Sequence, residues 1–582
     1  MKRKFVQFAA LCLSAALFLT VGGGRAAAAP SASGGRIIRV GLHYGTGAME
    51  GLNLQNTVGS GFRFGYYDSS NRFVELGRTA QTAISVVETM NIYYGSYNSY
   101  TSYHTALTGS SIAVGEYHLQ LPGSYADFAG AQAAASQYPG GFAAYIGGTY
   151  YARVGNYTTS AQANAAMASL GVAAELKWTS EYGVSVVATG TNTILFQYDD
   201  GNGSTTGLGV EPIQTGSEKC VTLSKGCLYN GGFRFERING GKLTVANLVG
   251  FEDYIEGVVA TEMSESWPLE ALKAQAVAAR SYAISLGTQH GKHHFDICDD
   301  VHCQAYTGQT KTGTNTRAAV EQTAGQVALY NGKAAETYYY SSNGGASQSV
   351  SMVWGTNQSL YPYLAEVADP YETSLNLDNS WTRTISSSQI ISALLSGNNV
   401  TPPIVSATVS SYTDAGNPWM FTFTDSAGKS FPVRSGRVYT GLGLPSCRFG
   451  FEGSGTSQPT PDPAPSAPPE DVSINGTVTV NGTLGLYAID GSGNLTPLGG
   501  EVYVITGSGT VPLGQGGGQT TAPAGNWSGS ATAVNGSFTF SGRGWGHNIG
   551  MSQWGAYAMA NQGKTYQEIL QFYYTGITVG YV

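Results

Sequence analysis

"VVATEMSESWPLEALKAQAVAARSYAIS", residues 258–285, sets an apolar run against a single acid, Glu262, and then restarts as a long alanine-rich segment. Ser266, Trp267 and Pro268 form an elbow between the two parts. Proline is pre-set for the first turn of a helix, and no further breaker occurs from Leu269 to Ser285, so a helix is predicted there. Its alanines at 271, 274, 276, 278, 279 and 283 present only methyl-sized bumps, so other backbone must pack against it closely. Gln275 and Arg280 are the polar exceptions, suited to fixing neighbouring loops or substrate. Glu262 falls before the elbow, outside the regular helix. Held beside Val258, Val259, Met263 and Trp267, its carboxylate is expected to be partly desolvated, which favours the protonated form needed by a general acid. A solvated loop glutamate is the plainer reading of this stretch taken alone.

The chain has 582 residues, enough for several domains. Lys2, Arg3 and Lys4 precede an apolar run from Phe5 to Val21 and the small-residue tail "GGGRAAAAP", the pattern of a secretory signal cleaved after Ala28. The alternative is an uncleaved membrane anchor, for which the run is short. The expected location is extracytoplasmic, secreted or attached to the cell wall. Losing the cations Lys2, Arg3, Lys4 and Arg25 moves the net charge from −8 to about −12. So acidic a chain is a poor polyanion binder, which argues against nucleic acid. Its 80 glycines and 37 tyrosines, with 11% charged residues, suit β-sheet and sugar-facing surfaces equally.

Around Gly/Asn/Asp turns, "RIIRVGLHYG" and "GFRFGYYDSSNRFVELG" alternate apolar and polar residues, giving a β-rich region over 36–114. From 115 the order changes to strand, helix, strand, strand, helix, strand, with Ser160 as expected N-cap and Gly171 as stop of the second helix. Pro459–Pro469 holds six prolines in eleven residues, an extended spacer. With the Gly-rich β insert behind it, this spacer occupies 453–535. The fold class is α+β and multidomain.

The βαββαβ order around "YYARVGNYTTSAQANAAMASLG" resembles the SPOR domain over 115–192, which implies binding to peptidoglycan glycan strands stripped of their peptides. "FEDYIEGVVATEMSESWPLEALKAQAVAARSYA", "YYYSSNGGASQSVSMVWG" and "GRGWGHNIGMSQWGAYAMA" resemble, in order, three blocks of the SpoIID family (stage II sporulation protein D, LytB-type). The resemblance covers a β-rich core with an Ala-rich helix over 216–452 and a closing segment over 536–582. Asn548 departs from it, standing where the closing block usually has glycine. It implies a lytic transglycosylase cleaving peptide-free glycan between MurNAc and GlcNAc, with Glu262 as the catalytic acid. It also implies glycan strands as substrate and, through the "amidase enhancer" label of some members, a cell-wall amidase as partner.

Two other readings stand beside that one: a non-catalytic glycan binder that activates an amidase, and a hydrolase pairing Glu262 with Asp253, Glu256, Glu265 or Asp299. Ser342, Asn343, His547, Ser552 and Gln553 are short or polar groups in Gly-rich turns and, with Gln275, are expected to meet sugar hydroxyls and acetamides or to cap turns.

"HHFDICDDVHC" places His294, Cys298, His302 and Cys303 within ten residues, the types and number of a closed tetrahedral zinc site. Such a zinc is structural, and no catalytic cofactor is expected. A Cys298–Cys303 disulfide, or neither, are the alternatives. Cys220 and Cys227 flank a strand–turn–strand and are expected to form a disulfide in an oxidising compartment.

Overall fold

The computed structural model describes residues 35–452 and 527–582, except 108, 202–206, 216–221, 225 and 376, together with the backbone of short strands within 472–512. The signal segment 1–28, the Pro-rich spacer and most of the Gly-rich insert lie outside the described residues. So does Cys220, and with it the expected Cys220–Cys227 bridge. The described residues form two compact units, one reaching Val327 and including Tyr581 and Val582, the other Ala328–Gly580. Among the described residues no helix is long and apolar enough to cross a membrane.

The first unit contains α1 (Phe128–Ala135), α2 (Ser160–Ser169), α3 (Phe251–Glu262), α4 (Leu269–Leu286) and α5 (Thr314–Gln322). A seven-stranded sheet runs in the order Ile297–Cys298, Ile37–His43, Thr244–Gly250, Gly232–Glu236, Leu208–Pro212, Phe62–Tyr67, Phe73–Thr79. Ile38 pairs with Val249 and Val40 with Asn247, so the N-terminal strand lies beside the strand that leads into α3. The separate β-rich region expected over 36–114 is therefore merged with the core expected from 216, and that core is itself divided at Val327. Pairing across some two hundred residues leaves no local mark in sequence.

The βαββαβ order is present over Tyr117–Lys177. Its strands lie in the order Glu175–Lys177, Tyr117–Gln120, Thr149–Tyr157, Gly141–Ile146, all neighbours antiparallel. Helices α1 and α2 cover one face through Leu119, Ala135, Ala152, Val154 and Ala163. Thr159, not Ser160, caps α2, its hydroxyl accepting from Gln162 N–H at 3.2 Å. This sheet does not close at 192. Gly141–Ile146 pairs in parallel with Ile194–Asp199, and five further strands continue to Cys227–Tyr229. The face opposite the helices is filled by Phe142, Ala144 and Ile194 packed with Ile92, Tyr103 and Val114.

The second unit holds α6 (Val350–Val353), α7 (Pro370–Thr373), α8 (Ser387–Leu394), α9 (Ser435–Leu442), α10 (Gln553–Asn561) and α11 (Tyr566–Tyr573). Two four-stranded sheets enclose a phenylalanine core of Phe421, Phe423, Phe449, Phe451, Phe538 and Phe540. Strand Ser537–Arg543 sits between Ser380–Ser386 and Arg448–Glu452, so the closing segment completes a sheet begun before the spacer.

Candidate active site and metal centre

Helix α3 forms because Phe251, Tyr254, Ile255, Val258 and Val259 recur at helical spacing and are all buried, while Glu252 and Asp253 occupy the first turn, where acids suit the helix dipole. Glu262 is its last residue. The expectation that it lies outside regular helix is thus corrected: the apolar run before it is itself helical. Met263 turns extended, Trp267 N–H closes a turn onto Ser264 carbonyl at 3.0 Å, and α4 starts at Leu269. All six alanines of α4 are buried, as is Gln275, whose amide nitrogen and oxygen have no hydrogen-bond partner among the described residues. Arg280 is buried and bidentate to Glu252, with Nε to Oε1 at 3.0 Å and Nη2 to Oε2 at 2.7 Å. It is an α3–α4 tie rather than a substrate group.

Residues 303–309 pass across both helices. Gly257 makes this possible, because a Cβ there would meet the Tyr306 ring at 2.5 Å and Gly308 carbonyl oxygen at 2.6 Å. Gln304 joins the two helices, accepting from Tyr254 hydroxyl at 2.8 Å and donating to Ala279 carbonyl at 3.2 Å. The hydroxyls of Thr261 and Thr307 lie 2.9 Å apart. Glu262, half-buried, accepts at Oε1 from Ala305 N–H at 3.3 Å. Its carboxylate is thus held at one oxygen by the crossing segment.

Glu265, Glu256 and Asp253, considered beside it, occupy other positions. Glu265 folds back onto the start of α5, accepting from Asn315 N–H at 2.6 Å, Thr316 N–H at 3.0 Å and the Thr316 hydroxyl. These bonds hold its carboxyl below the usual range against the opposing effect of burial. A Cβ at Gly313 would meet the Glu265 carboxyl at 2.2 Å, so glycine lets that carboxyl lie directly against the start of α5. Glu256 and Asp253 precede Glu262 by six and nine residues on one helix, which at 1.5 Å and 100° per residue puts them about 9 and 13 Å away along the axis and on other faces.

Three of the four expected donors come together, with His290 standing in place of His294. His290, Cys298, His302 and Cys303 bring one donor atom each within 4.8 Å of one another. His290 Nε2 lies 3.4 Å from Cys303 Sγ, and His302 Nδ1 lies 3.4 Å from Cys303 Sγ and 3.7 Å from Cys298 Sγ. His294 is not among them. The turn Gly291–His293 carries it to the far side, where it takes a left-handed backbone and its Nδ1 lies 2.7 Å from Glu236 Oε1. Both cysteines are unbridged. Their mutual hydrogen bond raises the Cys298 thiol and lowers that of Cys303. A tetrahedron with Zn–S near 2.3 Å and Zn–N near 2.0 Å has edges of about 3.5 Å, so the donor set and its spacing fit zinc.

In the second unit the expected sugar contacts turn inward. Ser342, Asn343, Ser552 and Gln553 are buried. Ser342 hydroxyl donates to Glu372 Oε1 at 2.6 Å, Asn343 N–H donates to Glu372 Oε2 at 2.9 Å, and Ser552 hydroxyl also donates to Glu372. Asn343 Nδ2 and Tyr573 hydroxyl both donate to Asp369 Oδ2, at 2.7 and 2.5 Å. Burial raises both carboxyls, and for Glu372 the neighbouring Asp369 adds to the effect. These side chains tie the Ser/Gly block to the closing block, and nothing in the residues around Asp369 and Glu372 signalled their role in sequence. His547 is fixed by Ile549 N–H, which donates to its Nδ1 at 3.1 Å, and by the rings of Tyr338, Tyr340 and Trp354. Asn548 takes φ of +61°, so it adopts the left-handed backbone for which glycine is the usual solution.

Residues 239–330 match the family model SpoIID, Stage II sporulation protein. The chain is 32% identical over 330 residues to the amidase enhancer of Bacillus subtilis, covering 56% of this chain and 40% of that protein. It is 28% identical over 355 residues to an uncharacterized protein of Brachyspira hyodysenteriae, covering 61% and 73% respectively. Stage II sporulation protein D of Bacillus subtilis is 30% identical over 139 residues, covering 21% of this chain and 40% of its own length. The chain thus spans well under two thirds of the amidase enhancer and of stage II sporulation protein D. The segment that matches the SpoIID model contains α3, α4, Glu262 and all four Cys/His donors, so the likeness to that family falls on the candidate site.

Proposed function

We propose that this protein is a lytic transglycosylase acting on peptide-free peptidoglycan glycan, with Glu262 as its single acid/base. The observation that carries this reading is the placement of Glu262 at the end of α3, where Oε1 accepts from Ala305 N–H while Glu265 is consumed in capping α5. A two-carboxylate glycosidase needs its second acid about 5–9.5 Å away. A transglycosylase needs only one, because the muramic 6-hydroxyl replaces water. Glu262 protonates the glycosidic oxygen as the bond to the anomeric carbon breaks. The resulting carboxylate then takes the 6-hydroxyl proton as that oxygen closes on the anomeric carbon, giving a 1,6-anhydro end and returning the acid. The N–H of Ala305 stabilises the carboxylate form and keeps the group aimed.

Zinc, held by His290, Cys298, His302 and Cys303, would supply rigidity in a site closed by four protein ligands. Residues 303–307, which start at a ligand, then present Ala305 to Glu262 in one place. The SPOR-like region would bind the same polymer and raise its local concentration. Both activities belong outside the cytoplasm. Incubating peptide-free glycan with the protein and weighing the products tests the reading: anhydro ends support it, reducing ends indicate hydrolysis. Because one relative is named amidase enhancer, a second reading is a glycan binder that stimulates an amidase without cleaving. It predicts no new ends at all.

A further inference from the structure

The second unit carries an exposed aromatic surface that the hydrogen-bond network around Glu372 does not use. Trp354 ends α6, its N–H bonded to Val350 carbonyl at 3.0 Å, and its indole is 42% exposed. The ring is held in one orientation by Tyr338, edge-on at 4.8 Å and 72°, and by His547 at 5.5 Å. Tyr338 is itself fixed, its hydroxyl donating to Glu336 Oε2 at 2.8 Å. Burial pushes the His547 imidazole down to about 4, so the ring behind the indole is neutral.

The cation at this surface is Arg434. Its guanidinium lies against the turn after Trp354: a Cβ at Gly355 would come within 2.7 Å of Nη2, and Nη1 is 3.5 Å from Ser351 carbonyl oxygen. Arg434 is exposed and makes no ion pair among the described residues. A flat, immobilised indole beside an unpaired guanidinium matches a pyranose bearing a carboxylate. The indole takes the apolar C–H face of the ring, and the fork of N–H donors takes the anion.

We propose that Trp354 and Arg434 form a subsite for N-acetylmuramic acid whose lactyl group ends in a free carboxylate, the sugar stacking on the indole and the carboxylate pairing with the guanidinium. The proposal rests on the glycan-strand reading above and deepens it. When the stem peptide is attached, that carboxylate is an uncharged amide and a bulky chain follows it. Removal of the peptide creates the anion that Arg434 would recognise. The subsite therefore gives a chemical basis for preferring peptide-free strands.

The test uses the full chain with Glu262→Gln to prevent turnover, and calorimetric binding to three oligomers of equal length. These are a peptide-free muramyl–glucosaminyl oligomer, the same oligomer with its lactyl carboxylates converted to methylamides, and a chitin oligomer. The free-acid oligomer should bind about fivefold tighter than the other two, the scale of one exposed charge pair. Arg434→Gln should erase that preference and Arg434→Lys should keep part of it. Trp354→Ala should weaken all three by about fivefold or more, with the far-ultraviolet spectrum unchanged. A preference that survives Arg434→Gln, or binding indifferent to Trp354→Ala, overturns the subsite and leaves the glycan reading intact. A folded protein that binds none of the three overturns both.

Discussion

The backbone N–H of Ala305 donates to Oε1 of Glu262 at 3.3 Å, two residues beyond Cys303. The segment that aims the proposed acid is thus anchored at one end by the Cys/His cluster and along its length by Gln304 and Thr307, which bond to α3 and α4. The Cys/His cluster and the proposed acid thus share one piece of backbone.

The purified protein should therefore carry about one zinc per chain, as a single four-ligand site requires. His290→Ala and Cys298→Ser should lose the metal and lower the melting temperature, whereas His294→Ala should keep it. Elemental analysis after dialysis decides. Full zinc in His290→Ala with none in His294→Ala would contradict the donor set.

Glu265 acts as an N-terminal cap of α5, so Glu265→Ala should cost about 1 kcal/mol, typical of a lost cap. Products formed by this variant, and by Asp299→Asn, should still carry anhydro ends. Loss of cleavage in either folded variant would point to a second catalytic carboxylate.

Two histidines, one in each unit, stay neutral in the fold: His118, pushed down to about 3, and His547, pushed down to about 4, desolvation being the main cause in both. An unfolded histidine has its pKa near 6.5. Between that value and the folded one the unfolded chain binds more protons, so the stability present above pH 6.5 is lost as pH falls toward 4. The loss should reach about 3 kcal/mol for His547. Melting curves from pH 7 to 4 should show His547→Gln less stable at pH 7 but losing less on acidification. A variant losing as much as the parent would remove His547 from the acid response.

Much of this was legible from local pattern. Pro268 and the alanine spacing announced α4, the strand–helix alternation announced the βαββαβ topology, and residue type announced a Cys/His centre. Three things were not. Whether Glu262 ended a helix depended on reading 251–262 as amphipathic, although Tyr254, Ile255, Val258 and Val259 carried that signal. His290 lies eight residues from Cys298 and reaches the cluster only because the Gly291–His293 turn folds back, while His294, nearer in sequence, is carried away to Glu236. Ser342, Asn343 and Ser552 looked like ligand groups because short polar side chains in Gly-rich turns serve surfaces and buried networks alike. Only the carboxyls of Asp369 and Glu372 decide between the two.

The sheet that carries the βαββαβ elements continues from Gly141–Ile146 to Ile194–Asp199. A fragment ending at residue 192 removes that partner strand and should unfold at lower temperature than one that includes the strands beyond it. Equal melting temperatures would show that 115–192 is self-sufficient.

The most direct measurement is mass spectrometry of products from peptide-free glycan strands incubated with the native protein and with Glu262→Gln. The native protein should release fragments whose muramic ends are one water lighter than reducing ends. Glu262→Gln should slow their release at least about a hundredfold, the low end of general acid catalysis, while still binding the strands. Reducing ends from the native protein, or near-normal cleavage by Glu262→Gln, would contradict a lone acid/base at the end of α3.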